Sequence, residues 1–445
     1  MPSNYQKILQ DNLREYGEGV RHLAFLGRLY SDRTHFMFEL LQNAEDARAT
    51  QILFEVYPDR LEVLHDGRLF DERDVRGICG VGDGTKIEDL TQIGKFGIGF
   101  KSVYAYTSSP EIHSGSEHFQ IVNYVRPFQA DPREIASPWT TRFVFPFDRP
   151  DMKEEQASAE IIRRLRNLNA RTLLFLRSIG RLRWSGPEGE SGEYSRHFDH
   201  LGQIVRIAIL KDSNDVNFRE KWLACQRAVT LPVGTNTVAV EAAFLLQETK
   251  KSEKPAIVRI EDSPLVVFFP TEKLTKLGFL VQGPYRTTPA RDNIPTDDAW
   301  NQMLVDETAQ LVSSVLGPMK KQGLLTPGCL EALPIDVGSF PPGSMFRPIF
   351  DAVKQTVRVH CSGGAVACAQ RRADCDESIS AGYEAQVGRR EALEIVAVRD
   401  AAGGCRRLSG IRCGDRRGFS HGFPLLSEQA DSVSHPMMDF VEYVG

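Results

Sequence analysis

The chain has 445 residues, 41% of them hydrophobic and 25% charged, with a formal net charge of −5. That balance is ordinary for a soluble globular protein of roughly two to three domains, and it gives no electrostatic case for a nucleic-acid partner. No apolar run approaches the roughly 20 residues of a membrane span, and the opening stretch MPSNYQKILQDNLREYGEGV lacks the apolar centre of a signal peptide, so the expected compartment is the cytoplasm.

Residues 4–30 read as a helical entry, with Ile8, Leu9, Leu13 and Tyr16 near helical spacing. Ser31, Asp32 and Thr34 are expected to cap the next helix, which carries FELLQNAEDARAT from Phe38 to Thr50. QILFEVYP and RLEVLHD predict two strands joined by a turn at Pro58–Asp59. Glycine-rich stretches follow in GICGVGDGTK and IGKFGIGFKS. EIHSGSEHFQIVNYV and TTRFVFPF restore the strand pattern, MKEEQASAEIIRRLRNLNARTLLFL predicts one long helix, and RSIGRLRW another strand. This alternation predicts an α+β layered domain over residues 1–185. GQIVRIAIL, VTLPVG, VAVEAAFLL, PLVVFFP and GFLVQGPY then predict strands, and DDAWNQMLVDETAQLVSSVLGPM an amphipathic helix whose acidic start suits the helix dipole. A second α+β domain is expected over residues 186–355. No internal repeat or heptad run interrupts this order.

From residue 356 to 445 the texture changes to Gly, Ala, Arg and Cys. Five of the eight cysteines, Cys361, Cys368, Cys375, Cys405 and Cys413, lie there. The segment is open to three readings: a small metal-binding module, a poorly ordered tail, or a tail translated out of frame. No CxxC pair occurs, which leaves a zinc site of the usual spacing unsupported, and reduced thiols are expected.

The chemistry concentrates in two places. Glu39, Gln42, Asn43 and Asp46 fall at i, i+3, i+4 and i+7, on one helical face, while Met37, Leu40, Leu41 and Ala44 cover the other. Glu39 and Asn43 are one turn apart and can reach one cleft. A carboxylate can orient or deprotonate an attacking water. An amide oxygen is a hard ligand suited to Mg²⁺. Further on, Gly94, Gly97 and Gly99 form GxxGxG, followed by Lys101 and Ser102. Glycines let backbone N–H groups approach an anion, and a helix starting near Phe100 would turn its positive end toward phosphate. The run is neither a Walker loop nor the dinucleotide fingerprint. Lys86, Lys95 and Lys101 are candidate point-charge partners for phosphate, with a solvated role as the alternative.

The order of these motifs, ExxxNAxDA on a helix, a strand ending in a polar-glycine turn, then GxxGxGFKS, resembles the GHKL ATP-binding superfamily of DNA gyrase B, the Hsp-type chaperones, sensor histidine kinases and MutL. The resemblance implies a layered α/β sandwich of that type, followed by the second α+β domain. It implies that Glu39 orients the hydrolytic water, Asn43 binds Mg²⁺, and Gly94, Gly97 and Gly99 close a lid around the phosphates. Thr141 falls where the superfamily places a strand threonine near adenine, and Asp46, Gly67 and Phe100 join the candidate nucleotide site. The superfamily's Asp-x-Gly-x-Gly is incomplete in LHDGRLF. Aligning on Gly67 puts His65 at the adenine-reading position, whereas aligning on the carboxylate selects Asp66. A carboxylate carries only acceptors for an exocyclic amine, which favours Asp66 and keeps His65 as the alternative. HDGRLFDERDVRGICGVGDGTK, GFKSV and LLFLRSIGRLRW are similar to the sacsin and NO VEIN branch over residues 20–185. FFPTEKLTKLGFLVQGPYRTTPARDNIPTDDAWNQ is similar to the domain that follows the ATPase module in bacterial members. Within it Arg286 and Arg291 are candidate γ-phosphate sensors, with a surface loop as the alternative.

The expected function is ATP binding with slow Mg²⁺-dependent hydrolysis, in which positioning and charge neutralisation do most of the work. Lid closure by the stretch from GVGDGTK to TQIG would be read by the second domain, a protein client or a partner subunit. The alternative is a nucleotide sensor or scaffold that does not hydrolyse. A histidine kinase is disfavoured, because no phospho-accepting His in a dimerisation-helix pattern precedes the site.

Overall fold

β1 (Gln51–Val56) alternates half-buried and buried residues, with Ile52, Phe54 and Val56 turned into the core, as the two-residue period of a pleated strand requires. A tight turn, in which the Tyr57 N–H donates to Arg60 O at 2.8 Å, returns the chain antiparallel as β2 (Arg60–His65). The computed structural model describes residues 1–18, 33–81, 99–200, 205–213, 219–230, 237–249, 252–288, 293–334 and 336–357. The described residues form an α+β protein on one mixed sheet of fifteen strands.

The remaining strands are β3 (Glu111–Ser114), β4 (Glu117–Val122), β5 (Arg126–Gln129), β6 (Thr141–Pro146), β7 (Arg181–Ser185), β8 (Ser191–His200), β9 (Val205–Asp212), β10 (Arg219–Thr230), β11 (Thr237–Thr249), β12 (Ser252–Val258), β13 (Pro264–Val267), β14 (Phe269–Leu274) and β15 (Leu280–Gln282). Their order in space is β14, β13, β15, β11, β10, β9, β8, β7, β1, β2, β6, β3, β4, β5, with β12 paired to β11. β1 and β7 run parallel, as do β13 and β15, and the other ladders are antiparallel.

Helices cover the sheet locally. α1 (Tyr5–Tyr16) is capped by Asn4, packs on β5 and stops at Gly17, whose φ of 76° a side chain would resist. α2 (Phe36–Asp46) and α3 (Glu72–Cys79) flank the end of β2, and α4 (Glu154–Arg166) packs on β1 and β2. α5 (Ala299–Lys321), capped by Asp298, packs on β10 and β11, while α6 (Pro327–Ala332) packs on β12. Residues 347–357 close the described chain as a further helix.

Four expectations change. Thr34 does not cap α2; the chain enters through a 3-10 turn, Arg33–His35, and the cap position, His35, makes no side-chain cap bond. Ser31 and Asp32, and the tail from residue 358, lie outside the described residues. The long helix expected after Met152 ends at Arg166, because Asn169 leaves helical geometry and caps a separate 3-10 turn, Ala170–Leu173, through Arg171 N–H at 2.9 Å. PLVVFFP is not one strand: Phe268 takes φ 64°, and the chain doubles back there from β13 to β14. α3 had no helix expectation, only its last residues, 77–79, falling in the glycine-rich GICGVGDGTK, and a reciprocal Asp71–Asp74 capping box starts it.

Candidate functional site

The polar face of α2 is not a wetted face. Glu39 is 5% exposed and Gln42 1%, while Asn43 and Asp46 are half-buried. His35 lies one turn before Glu39, with Nε2 3.6 Å from Glu39 Oε1. Gly99 closes directly over the carboxylate: a Cβ built there would stand 1.9 Å from Glu39 Oε2. The last glycine of the GxxGxG run and the α2 carboxylate therefore occupy one place. The Asn43 backbone carbonyl accepts from the Ala47 N–H at 3.0 Å.

The end of β2 forms the next wall. His65 is 2% exposed, and its Nδ1 accepts from the Gly67 N–H at 3.1 Å. That bond places the imidazole proton on Nε2. Burial, with Arg68 nearby, pushes the His65 pKa down to about 4, so the ring is neutral at pH 7. Gly67 is required by close approach, since a Cβ would meet Ala47 O at 2.8 Å. Thr140 ties the turn down through His65 O (3.1 Å) and Gly67 O (2.5 Å). Thr141 sits opposite His65 in the β2–β6 ladder, fully buried, with its hydroxyl 2.6 Å from Ser114 Oγ. Asp66 points elsewhere. Its carboxylate accepts from Thr50 N–H (2.7 Å), Thr50 Oγ1 (2.5 Å) and Gln51 N–H (3.1 Å) at the start of β1. Burial would raise its pKa, but those bonds outweigh burial and hold the carboxyl below its ordinary value. Arg68 braces the turn against α3 through both oxygens of Asp74, each at 2.6 Å.

Beyond Gly99 the chain is a 3-10 helix, Gly99–Ala105. Phe100 is buried against Phe143 and Phe145, at ring separations of 6.1 and 6.2 Å. Lys101 departs from the expected phosphate contact. Its ammonium is wholly buried and donates to Ile78 O (2.6 Å) and Tyr124 O (2.5 Å), so it ties the 3-10 helix to the last turn of α3. Burial lowers its pKa to about 8 and raises that of adjacent Cys79 to about 12, leaving that thiol inert. Arg286 is engaged with Asp298 at 3.1 Å, at the start of α5. Lys86, Gly94, Lys95, Gly97 and Arg291 lie outside the described residues.

Two features had no expectation attached. Glu45 is 7% exposed and its carboxylate accepts three successive backbone N–H groups, Arg177 (2.5 Å), Ser178 (2.8 Å) and Ile179 (2.9 Å). It fixes α2 to the loop that enters β7. Phe38, beside Glu39, packs its ring 4.8 Å from Phe269 of β14, with the Arg164 guanidinium 5.1 Å above it. Phe38, on the flank of the polar stripe of α2, thus touches β14 at the edge of the sheet. Glu45 lacks a sequence signal, since its partners are 132 or more residues away; the FxF and RRxR runs around Phe38 and Arg164 could have suggested an aromatic–guanidinium contact.

Taken together, the residues define an α+β protein in which a buried helical carboxylate faces a glycine turn. Residues 21–125 match the Sacsin domain. The chain is 27% identical over 328 residues to Protein NO VEIN of Arabidopsis thaliana, covering 67% of this chain and 12% of that protein. It is 36% identical over 105 residues to sacsin of Homo sapiens, covering 20% of this chain and 2% of that protein. These likenesses support a sacsin- and NO VEIN-like kinship, and the chain spans only a small part of either relative's length. A crystal structure of the N-terminal domain of a DNA repair protein aligns over 61% of this chain and 91% of its own, at 12% identity and a TM-score of 0.35, which carries no argument about fold. Among the described residues, no helix is long and apolar enough to cross a membrane.

Proposed function

We propose that this chain binds ATP in a GHKL-type sandwich, over the polar face of α2, and hydrolyses it slowly with Mg²⁺. The observation that carries this reading is the contact between Glu39 and Gly99, a carboxylate at the end of a glycine run. In this reading Glu39 orients the attacking water and His35 steadies it from one turn away. The half-buried Asn43 amide, one turn along the same face, fits an oxygen ligand for Mg²⁺, whose remaining ligands are waters and phosphate oxygens. Bound there, the ion supplies charge neutralisation at the phosphates. His65 takes the base-reading role, because Asp66 is occupied by Thr50 and Gln51. It offers an N–H rather than a carboxylate, so it selects a ring nitrogen acceptor of the base and not its exocyclic amine. The Phe38–Phe269 contact gives α2 a direct route to β14, consistent with a nucleotide state read by that part of the sheet or by a protein client.

Calorimetric titration with ATP and Mg²⁺ tests the proposal. Wild type binds, Asn43→Ala loses the Mg²⁺-dependent part, and Glu39→Ala binds but releases no phosphate. Indifference of the wild type to adenine nucleotides at millimolar concentration would refute it. The departure at LHDGRLF favours the second reading, a sensor without turnover; wild type that binds ATP yet releases no phosphate would establish that instead.

A further inference from the structure

We propose that the β3–β4 hairpin carries a two-histidine site for a divalent transition metal, Cu²⁺ foremost, formed by Nδ1 of His113 and Nδ1 of His118. The two residues are cross-strand partners, as are Glu111 and Gln120, so all four side chains share one face of the sheet. The two Nδ1 atoms stand 3.1 Å apart. Two nitrogens at that separation, each about 2.0–2.1 Å from one ion, subtend an angle of about 100° at the metal, within the usual coordination range and without strand movement.

The surroundings set the lone pairs. His113 Nε2 meets Glu111 Oε2 at 3.4 Å, and Arg133 holds that same oxygen at 2.9 Å. A carboxylate only accepts, so the His113 proton lies on Nε2 and its Nδ1 lone pair faces His118. This is the carboxylate–histidine–metal arrangement in which an outer carboxylate orients the ligating ring. Without metal, His118 donates its Nδ1–H to that lone pair. With metal, His118 carries its proton on Nε2 and presents a second lone pair. The backbone is fixed for this: the His118 N–H donates to the Tyr5 hydroxyl at 3.0 Å, and Tyr5 in turn donates to Glu117 at 2.6 Å.

Ligand type and ligand count decide the metal. Arg142 lies across from His113 in the β3–β6 ladder and pairs with Glu62 at 3.3 Å, while Arg133 pairs with Glu111. Both guanidiniums are paired with carboxylates, and it is the two imidazole nitrogens, in place of oxygen ligands, that disfavour hard cations such as Mg²⁺ and favour Cu²⁺ first, then Ni²⁺ and Zn²⁺. Among the described residues no group of three or more His, Cys, Asp or Glu could hold a metal ion, so water completes the shell and the ion exchanges readily.

The full chain, with accessible thiols alkylated, is titrated with Cu²⁺ alone by calorimetry. Wild type should take up one equivalent more than His118→Gln, and Glu111→Gln should bind that equivalent at least tenfold more weakly. Equal uptake by wild type and His118→Gln overturns the site. Electron paramagnetic resonance of wild type with one equivalent of Cu²⁺ gives a readout that needs no variant. Superhyperfine splitting from two imidazole nitrogens supports the proposal, and a spectrum without it refutes the proposal.

Discussion

Gly99→Ala separates the stability of this protein from its proposed chemistry. The new Cβ would stand 1.9 Å from Glu39 Oε2 and 2.6 Å from Cδ, whereas real Cβ contacts essentially never fall below 3.0 Å. The carboxylate must therefore retreat by about 1 Å or more, and a misplacement of that size costs on the order of 10²-fold in rate. The atoms that move are the end of a flexible side chain, and Gly99 is not at positive φ. Replacing glycine also removes about 0.4–1 kcal/mol of unfolded-state freedom. The two effects on stability nearly cancel. The expected variant thus has a urea midpoint close to wild type, keeps ATP binding by calorimetry, and releases phosphate about 100-fold more slowly. A Gly99→Ala protein that hydrolyses ATP at the wild-type rate would show that the Glu39–Gly99 contact has no part in turnover.

Glu45→Ala strips the acceptor from three backbone N–H groups at 177–179; charged hydrogen bonds of about 1.5–3 kcal/mol each, not additive, predict a loss of about 3 kcal/mol in denaturant melts, and a loss under 1 kcal/mol would contradict the clamp. His65 binds its proton at about 4 when folded, against an ordinary value of 6.5, so the unfolded chain holds more protons between those values. Stability should fall by about 3 kcal/mol as pH drops through that window, and His65→Gln should flatten the dependence; an unchanged slope in the variant would locate the titration elsewhere. Lys101→Met removes the donor to Ile78 O and Tyr124 O, costing about 2 kcal/mol of stability while ATP affinity stays within about twofold. A tenfold loss of affinity at unchanged stability would mean that the lysine reaches phosphate after all.

What the sequence made legible follows from how local each signal is. The polar stripe of α2 and the strands β1, β2 and β6 depend on residues within a few positions of one another, and they stand as expected, with β1 alternating and β2 buried on both faces. α3 escaped because it is only 8 residues long and contains Gly77, although its Asp71–Asp74 box was in view. The split of PLVVFFP at Phe268 was hidden, since nothing in an apolar run marks a bulky residue for positive φ. The directions of Lys101 and Asp66 were beyond reach for a different reason: a charged side chain beside a glycine motif looks the same whether it faces a ligand or a backbone carbonyl. The deciding partners, Tyr124 for one and Thr50 for the other, come from separate elements. Glu45 is the extreme case, because every group it serves belongs to a loop more than 130 residues away.

The boundary expected at residue 185 falls in the β7–β8 hairpin, whose strands are laddered from Arg181↔Ser195 to Ser185↔Ser191, while β7 is also laddered to β1. A hinge needs a few linking residues free to absorb dihedral change. Here the two portions are joined across that point by one antiparallel ribbon, β7–β8. Any rearrangement around α2 must travel outward as torsion of that ribbon, or jump directly from Phe38 to Phe269, rather than swing one half against the other like a door.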